Sequence, residues 1–196
     1  MNSVKMSVVV VASLSGSAFA VVTGFTDQGA WEAAAGGPAV VDDLSSYGEV
    51  TLTLGSNSFF NGYSVDLDGV GTGGANVNSG GTFVFTVGGD LDSLTFDFDA
   101  PILGFGGSWL NTFVTNGLSL TIDGQTLDIE SFVPTPDLEI VGFASDTPYS
   151  QAEQTVTDPG GASEFAALTD VLFVVPTPAS AALLGMGGLA MARRRR

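Results

Sequence analysis

The sequence predicts a mostly β protein, built as a β-sandwich with one short helix near its beginning. From Val50 onward, short runs rich in β-branched and aromatic residues alternate with clusters of Gly, Asn and Asp. Such clusters are typical of the turns that connect strands. Apolar residues in the runs recur at every second position, which places them on one face of a strand. Many short strands of this kind favour a sandwich.

The predicted strands are separated by recognisable turns. They are residues 50–54, 63–67, 82–87, 94–99, 118–122, 125–132, 138–143 and 170–174. The clearest hairpin has Asp123-Gly124 between two strands, a two-residue link that favours the type I′ turn. The alternation in residues 94–99 predicts one face toward a core and one toward water.

A short helix is predicted immediately before the first strands. Thr26 can cap its N-terminus, and Asp27 complements the helix dipole. Trp31 and Ala34 are three residues apart, so we expect them to share one face, and Gly36 can end the helix.

Charge is distributed very unevenly along the 196 residues. All 21 acidic residues lie between Asp27 and Asp170, whereas the 5 basic residues are Lys5 and the last four arginines, and there is no His. A domain without basic side chains cannot neutralise phosphates, so binding to nucleic acid is excluded as a function. Divalent cations, neutral sugars or basic proteins fit such a domain better. The alternative is that its acidity only keeps it soluble.

The composition also limits catalysis. Without His and Cys the common nucleophile–base pairs and the zinc sites built on those residues cannot form. Carboxylates are the remaining acid–base groups, and a glycosidase needs only two of them. We therefore expect a protein that is not an enzyme, with a carbohydrate-active enzyme using a carboxylate pair as the alternative.

The first 20 residues have the pattern of a secretory signal peptide. Lys5 precedes the apolar run 6–14, and Ala18 and Ala20 form a small-x-small cleavage pattern. We expect signal peptidase to cut after Ala20. A retained membrane anchor is the alternative, for which the run is short.

The other end carries an apolar run followed by a basic cluster. Residues 176–192 contain no charged side chain and predict a transmembrane helix. The arginines after it predict a cytoplasmic C-terminus. A plain membrane anchor would have this topology as well.

The order of the tail segments resembles the PEP-CTERM protein-sorting tail. The segments are the motif Val175, Pro176, Thr177 and Pro178, the apolar run, and the cluster Arg193, Arg194, Arg195 and Arg196. The resemblance implies an exosortase-like protease that recognises the tail in the inner membrane, cleaves near the motif and passes the protein to the cell surface or the extracellular space. Thr177 stands where the family usually has Glu, which leaves the exact cleavage site open.

Residues 25–174 are similar to a group of PEP-CTERM passenger domains. The similar segments are 25–35, 40–44, 102–107, 118–122, 140–149 and 168–173. The resemblance implies a jelly-roll-like β-sandwich, comparable to carbohydrate-binding modules. The expected organisation is therefore a signal peptide (1–20), an acidic β-sandwich domain (21–174) and a sorting tail (175–196).

Two kinds of ligand site are candidates in the domain. By analogy with jelly-roll modules, Asp42, Asp43 and Asp170 could hold a structural calcium ion where an early strand meets the last one. Solvated or capping carboxylates are the alternative. Trp109 and Tyr149 are candidates for stacking on an extracellular polysaccharide, with burial in the core as the alternative.

Overall fold

The structure is a computed structural model in which residues 20–44, 47, 50–52, 57–68, 75–77, 85–88, 92–111, 118–129, 131–132, 138–156 and 165–176 are described. Most of the predicted signal peptide, including Ala18, lies outside these residues, as do Thr177, Pro178, Arg193–Arg196 and nearly all of the predicted tail helix. No helix among the described residues is long and apolar enough to cross a membrane.

The prediction of a mostly β protein with one short helix is confirmed for the described part of the chain. The elements in chain order are β1 (Val22–Phe25), α1 (Gln28–Ala35), β2 (Val40–Asp42), β3 (Val50–Leu52), β4 (Asn57–Phe59), β5 (Tyr63–Asp68), β6 (Ala75–Val77), β7 (Phe85–Gly88), β8 (Asp92–Asn111), β9 (Leu118–Ile122), β10 (Gln125–Asp128), β11 (Leu138–Val156) and β12 (Phe165–Val174).

The strands pair antiparallel in a sheet whose central order is β10-β9-β11-β8-β12-β2. In addition, β1 pairs with β11, β5 pairs with β8 and β4, and β7 pairs with β12. A separate two-stranded sheet joins β3 and β6. Since β8 and β11 pair with each other over most of their length, they connect all parts of the larger sheet.

Both long strands contribute to two packed layers. Residues 92–98 of β8 pair with β5 and with residues 151–156 of β11, and together with β4, β9 and β10 they form layer one. Residues 104–111 of β8 pair with residues 138–144 of β11 and with β12, forming layer two with β1, β2 and β7. The pairing is irregular between the halves, near Ile102 and Tyr149.

The main hydrophobic core contains side chains of both layers. Phe96 and Phe98 of layer one contact Phe105 of layer two, with ring centroids 5.0 Å and 5.7 Å apart. Tyr63 reaches Phe173 across the same space, at 6.0 Å. The face-to-face packing of the two layers therefore encloses this core.

Helix α1 covers the opposite face of layer two and forms a second cluster with it, which includes Trp31, Ala35, Leu103 and Leu172. The Trp31 indole N–H donates to the backbone oxygen of Phe143 at 3.1 Å. The two glycines beneath the ring, Gly104 and Gly142, permit this approach, because a Cβ atom at either position would collide with Trp31.

The predicted helix is present, but its cap and its buried face were wrong in detail. Asp27, not Thr26, is the N-cap, and its Oδ1 accepts a hydrogen bond from the Ala30 amide at 2.7 Å. Ala35 lies beside Trp31 on the buried face, one turn away, whereas Ala34 is exposed. The C-terminal prediction is confirmed, since Gly36 adopts the left-handed conformation with φ 87°.

The hairpin predicted around Asp123-Gly124 is confirmed. It joins β9 and β10, and both turn residues have positive φ, 50° and 76°, as a type I′ turn requires. The predicted strands 94–99 and 138–143 fall inside β8 and β11 but are far too short. The alternation that predicted them stops in the second half of β8, where residues 102–109 are all buried.

Candidate functional site

The two ends of the domain leave the fold at the same end of layer two. Thr23 of β1, Ala144 of β11, Gly104 of β8 and Val174 of β12 form one row across the layer. Three strand spacings separate the first and last strands of this row, or about 14 Å. Because β1 enters the layer and β12 leaves it at this end, the predicted processing positions are neighbours in space.

The residue after the predicted signal cleavage position is hydrogen-bonded to β11. The Val21 amide donates to Asp146 Oδ1 at 2.9 Å, and the Asp146 amide donates to the Val21 oxygen at 3.3 Å. The next amide, of Val22, donates to Gln125 Oε1 at 3.5 Å. Ala20 is buried, whereas the Val21 side chain is 45% exposed.

The sorting motif begins where the last strand ends. Val175 directly follows β12 and is 39% exposed, and Pro176 is half-buried. The motif therefore starts at the surface of the domain rather than inside a strand.

A polar groove lies where β8 and β11 pass between the layers. Its volume is about 430 Å³. Its walls include Pro101, Pro148 and Tyr149 from the two long strands, and Thr121, Asp123, Gln151 and Glu153 from the outward face of layer one and the β9–β10 turn. Tyr149 is the groove residue that sequence reasoning had identified as a binding candidate. The others come together only through strand register, which no local motif reveals.

Strand register brings the polar side chains of the groove together. Glu153 lies directly opposite Thr121, and Gln151 lies opposite Asp97, whose Oδ1 accepts from Gln151 Nε2 at 2.9 Å. Hydroxyl, amide and carboxylate groups can bind the hydroxyls of a neutral ligand. Since the domain has no basic side chain to offset its carboxylates, the groove repels anions.

Both aromatic residues predicted to stack on a sugar are buried in the structure. Trp109 is completely buried, donates its indole N–H to the Val141 oxygen at 3.3 Å and packs edge-on against Phe105. Tyr149 lines the groove but is only 6% exposed, so neither ring offers a face to a sugar. The burial of Trp109 supports its alternative interpretation as a core residue.

Among the described residues, three side chains have buried polar atoms without a hydrogen-bond partner: Asp66, Tyr149 and Gln154. Burial raises the pKa of the Tyr149 phenol far above its ordinary value. In Gln154 the amide nitrogen and the amide oxygen are both unsatisfied, whereas in Asp66 the unsatisfied atom is Oδ1. Gln154 lies in one row between Leu120 and Leu94, on the core face of layer one.

Asp42, one of the predicted calcium ligands, is held by three donors inside the protein. Its Oδ1 accepts from the Leu44 amide at 3.0 Å, and its Oδ2 accepts from the hydroxyls of Tyr47 at 2.9 Å and Tyr63 at 3.0 Å. Burial, and then the nearby Asp42 carboxylate, raise the pKa of Tyr63. The cluster fixes the end of β2 to β5.

Asp170, a second predicted calcium ligand, forms its hydrogen bond with β8. Asp170 Oδ2 accepts from Ser108 Oγ at 2.9 Å, and Asp43 is exposed. Asp42 pairs across strands with the buried Val171, the neighbour of Asp170, and neighbours in a strand point to opposite faces. Among the described residues, no three acidic side chains are grouped so that they could hold a metal ion. Calcium binding therefore stays a prediction.

No protein-family model matches this sequence, and no significant similarity to a curated protein or a solved structure was found. The function must therefore be inferred from the residues of the chain and their arrangement.

Proposed function

We propose that this chain is a non-enzymatic protein that is exported and then sorted to the cell surface or the extracellular matrix. Signal peptidase releases it after Ala20, and an exosortase-like protease acts on the PEP-CTERM-like tail that begins at Val175. In the inner-membrane intermediate, the helix of residues 176–192 holds the protein in the membrane with its arginines inside. The domain between the processing positions is a jelly-roll-like β-sandwich.

One observation supports this proposal: the predicted cleavage after Ala20 precedes β1, the motif at Val175 follows β12, and both positions are at the same end of layer two. Val21 precedes β1, Val175 follows β12, and both side chains are exposed. Two membrane-bound proteases can therefore act at one end of the domain, which leaves every described strand intact. The acidic domain, without basic side chains, is not attracted to anionic lipid headgroups.

The polar groove supports weak binding of an extracellular polysaccharide. Gln151, Glu153 and Thr121 offer donors and acceptors to sugar hydroxyls, and Pro101 and Pro148 add apolar surface. A neutral polymer fits better than an acidic one, because the groove contains two carboxylates, Asp123 and Glu153. Without an exposed aromatic ring among its described walls, such binding would be weak.

The same two carboxylates make a carbohydrate-active enzyme the second candidate. A glycosidase requires a pair of carboxylates beside the bound sugar. Incubating the protein with neutral polysaccharides and measuring new reducing ends separates the two functions. Release of reducing ends by the natural chain but not by Glu153→Gln or Asp123→Asn would establish the enzyme and overturn the non-enzymatic proposal.

Fractionation of a tagged chain tests the sorting proposal. The chain lacking residues 176–196 should leave the membrane fraction and appear in soluble exported material. A chain with Arg193–Arg196 changed to Asn retains the apolar run and isolates the contribution of the arginines. Unchanged fractionation of the truncated chain would rule out a role for the tail.

A further inference from the structure

The contact between Val21 and Asp146 extends the ladder between β1 and β11 by one residue. Val22 pairs with Ser145, so Asp146 is the residue that continues the register opposite Val21. The backbone of Asp146 donates to the Val21 oxygen at 3.3 Å, and its side chain accepts from the Val21 nitrogen at 2.9 Å. A carboxylate oxygen therefore already accepts a hydrogen bond from the nitrogen that the proposed cleavage would convert to a free amine.

Cleavage changes the charge of that nitrogen. Hydrolysis of the Ala20–Val21 bond consumes one water: Ala20 leaves as a carboxylate, and the Val21 nitrogen becomes an amine. An α-amino group has a pKa near 8 and is mainly protonated at neutral pH. Since residues 6 to 192 contain no Lys, Arg or His, the new ammonium is the first cationic group of the domain.

We propose that Asp146 is a docking site for the α-ammonium group of the processed chain, so that removal of the signal peptide creates an ion pair fastening β1 to β11. This inference rests on the proposed cleavage after Ala20. The neutral amide donates one hydrogen bond to the carboxylate, whereas the ammonium adds a full charge and two more N–H donors. The neighbouring hydrogen-bonding side chains, those of Gln125 and Ser145, carry no charge.

The ion pair lies at the surface of the protein, and this position limits its expected strength. Both Val21 and Asp146 are exposed, so solvent and salt weaken their attraction. A carboxylate at hydrogen-bonding distance should still favour the protonated amine, by an amount typical of exposed ion pairs. Because the expected effect is small, the experiment measures the pKa of the α-amino group directly.

The experiment uses the full chain with a specific protease site inserted immediately before Val21, so that cutting makes Val21 the first residue. NMR titration gives the pKa of the freed α-amino group in the natural sequence and in Asp146→Asn. We expect the natural sequence to have the higher pKa, by about half a pH unit, and the difference to shrink in 1 M NaCl. Thr126→Ala, an exposed substitution in β10, serves as the control and should leave the pKa unchanged.

Equal pKa values for the natural sequence and Asp146→Asn would overturn the docking proposal, because the cut chain begins at Val21 by design. The mass of the N-terminal peptide after export in a secreting host tests the cleavage separately. A first residue other than Val21 would overturn the proposed cleavage after Ala20. It would not affect the ion pair measured in the chain cut by the inserted protease site.

Discussion

Phe96 and Phe105 belong to the same strand, β8, yet their ring centroids are only 5.0 Å apart. In a straight strand, residues nine positions apart would be separated by about 30 Å. The strand therefore folds back between them, at the segment containing Pro101, and its two halves supply opposite walls of the core. Proline has no N–H for the ladder and is found at such interruptions.

The contact predicts strong coupling between the two phenylalanines. Phe96→Ala or Phe105→Ala should each lower the free energy of unfolding by about 3–5 kcal/mol, since both rings are fully buried. The double variant should lose less than the sum of the two, because each ring packs on the other. Urea unfolding of the natural chain, the two single variants and the double variant measures these free energies. Strict additivity would contradict a direct contact across the core.

Gly142 should be essential for the docking of α1. A Cβ atom at Gly142 would overlap the Trp31 ring, so Gly142→Ala should lower the free energy of unfolding by about 1–3 kcal/mol. Gly29→Ala is the matched control. It places the same methyl group in the exposed first turn of α1, where it should be neutral or stabilising by up to about 1 kcal/mol. Similar losses for both variants would contradict the proposed steric cause.

The Gly142 contact also shows what the sequence could and could not predict. The mostly β fold class, the Asp123-Gly124 hairpin and the presence of a short helix at Trp31 follow from local rules and are correct. The second half of β8 could not be predicted from local rules. There α1 covers one face of the strand and the core covers the other, which removes the alternation of apolar and polar residues. Its glycines are unfavourable in a strand, and Gly104 is explained by Trp31 and Ala35 of α1, which are distant in the sequence and leave no space for a Cβ atom.

The candidate site was less predictable than the fold. The groove combines residues of three segments that meet through register and through the crossing of β8 and β11 between layers. Trp109 is followed by Leu110 in the sequence, and its local surroundings did not decide between a surface and a core position. Only the tertiary structure shows it as a buried donor to Val141.

Calcium should have little effect on the stability of the domain. The Asp42 carboxylate already accepts three hydrogen bonds, and it points away from the face that carries Asp170. We expect the melting temperature to change by less than about 1 °C between a chelator and millimolar calcium, since stabilisation requires a site in the folded state. Magnesium at equal ionic strength is the control. A rise of several degrees with calcium alone would show that the folded domain has a calcium site, contrary to this expectation.

Alkaline pH should destabilise the domain through its buried tyrosines. Tyr63 and Tyr149 have pKa values raised by burial, so the folded chain keeps these protons while the unfolded chain loses them near pH 10. The stabilising contribution is complete below pH 10 and is lost as the pH rises further, by about 1.4 kcal/mol per pH unit for each tyrosine.

The variant Tyr149→Phe isolates one of the two contributions. Urea unfolding between pH 9 and pH 11.5 should give this variant a shallower fall in the free energy of unfolding than the natural chain. Thr126→Ala, which removes no titrating group, should run parallel to the natural chain. Parallel curves for Tyr149→Phe as well would mean that this hydroxyl is not buried in solution.

Gln154 should be a position where an apolar side chain improves the protein. Its amide is completely buried in a row with Leu120 and Leu94, and neither of its polar atoms has a partner. Burying an unsatisfied amide costs about 1–3 kcal/mol. Gln154→Met keeps the length and flexibility of the side chain, so we expect it to raise the free energy of unfolding by about 1–2 kcal/mol, measured by urea unfolding. Gln151→Met, on the exposed face of the same strand, is the control. It should lose the hydrogen bond to Asp97 and should not raise the free energy of unfolding. A destabilised Gln154→Met chain would instead show that an internal water or a ligand satisfies this amide.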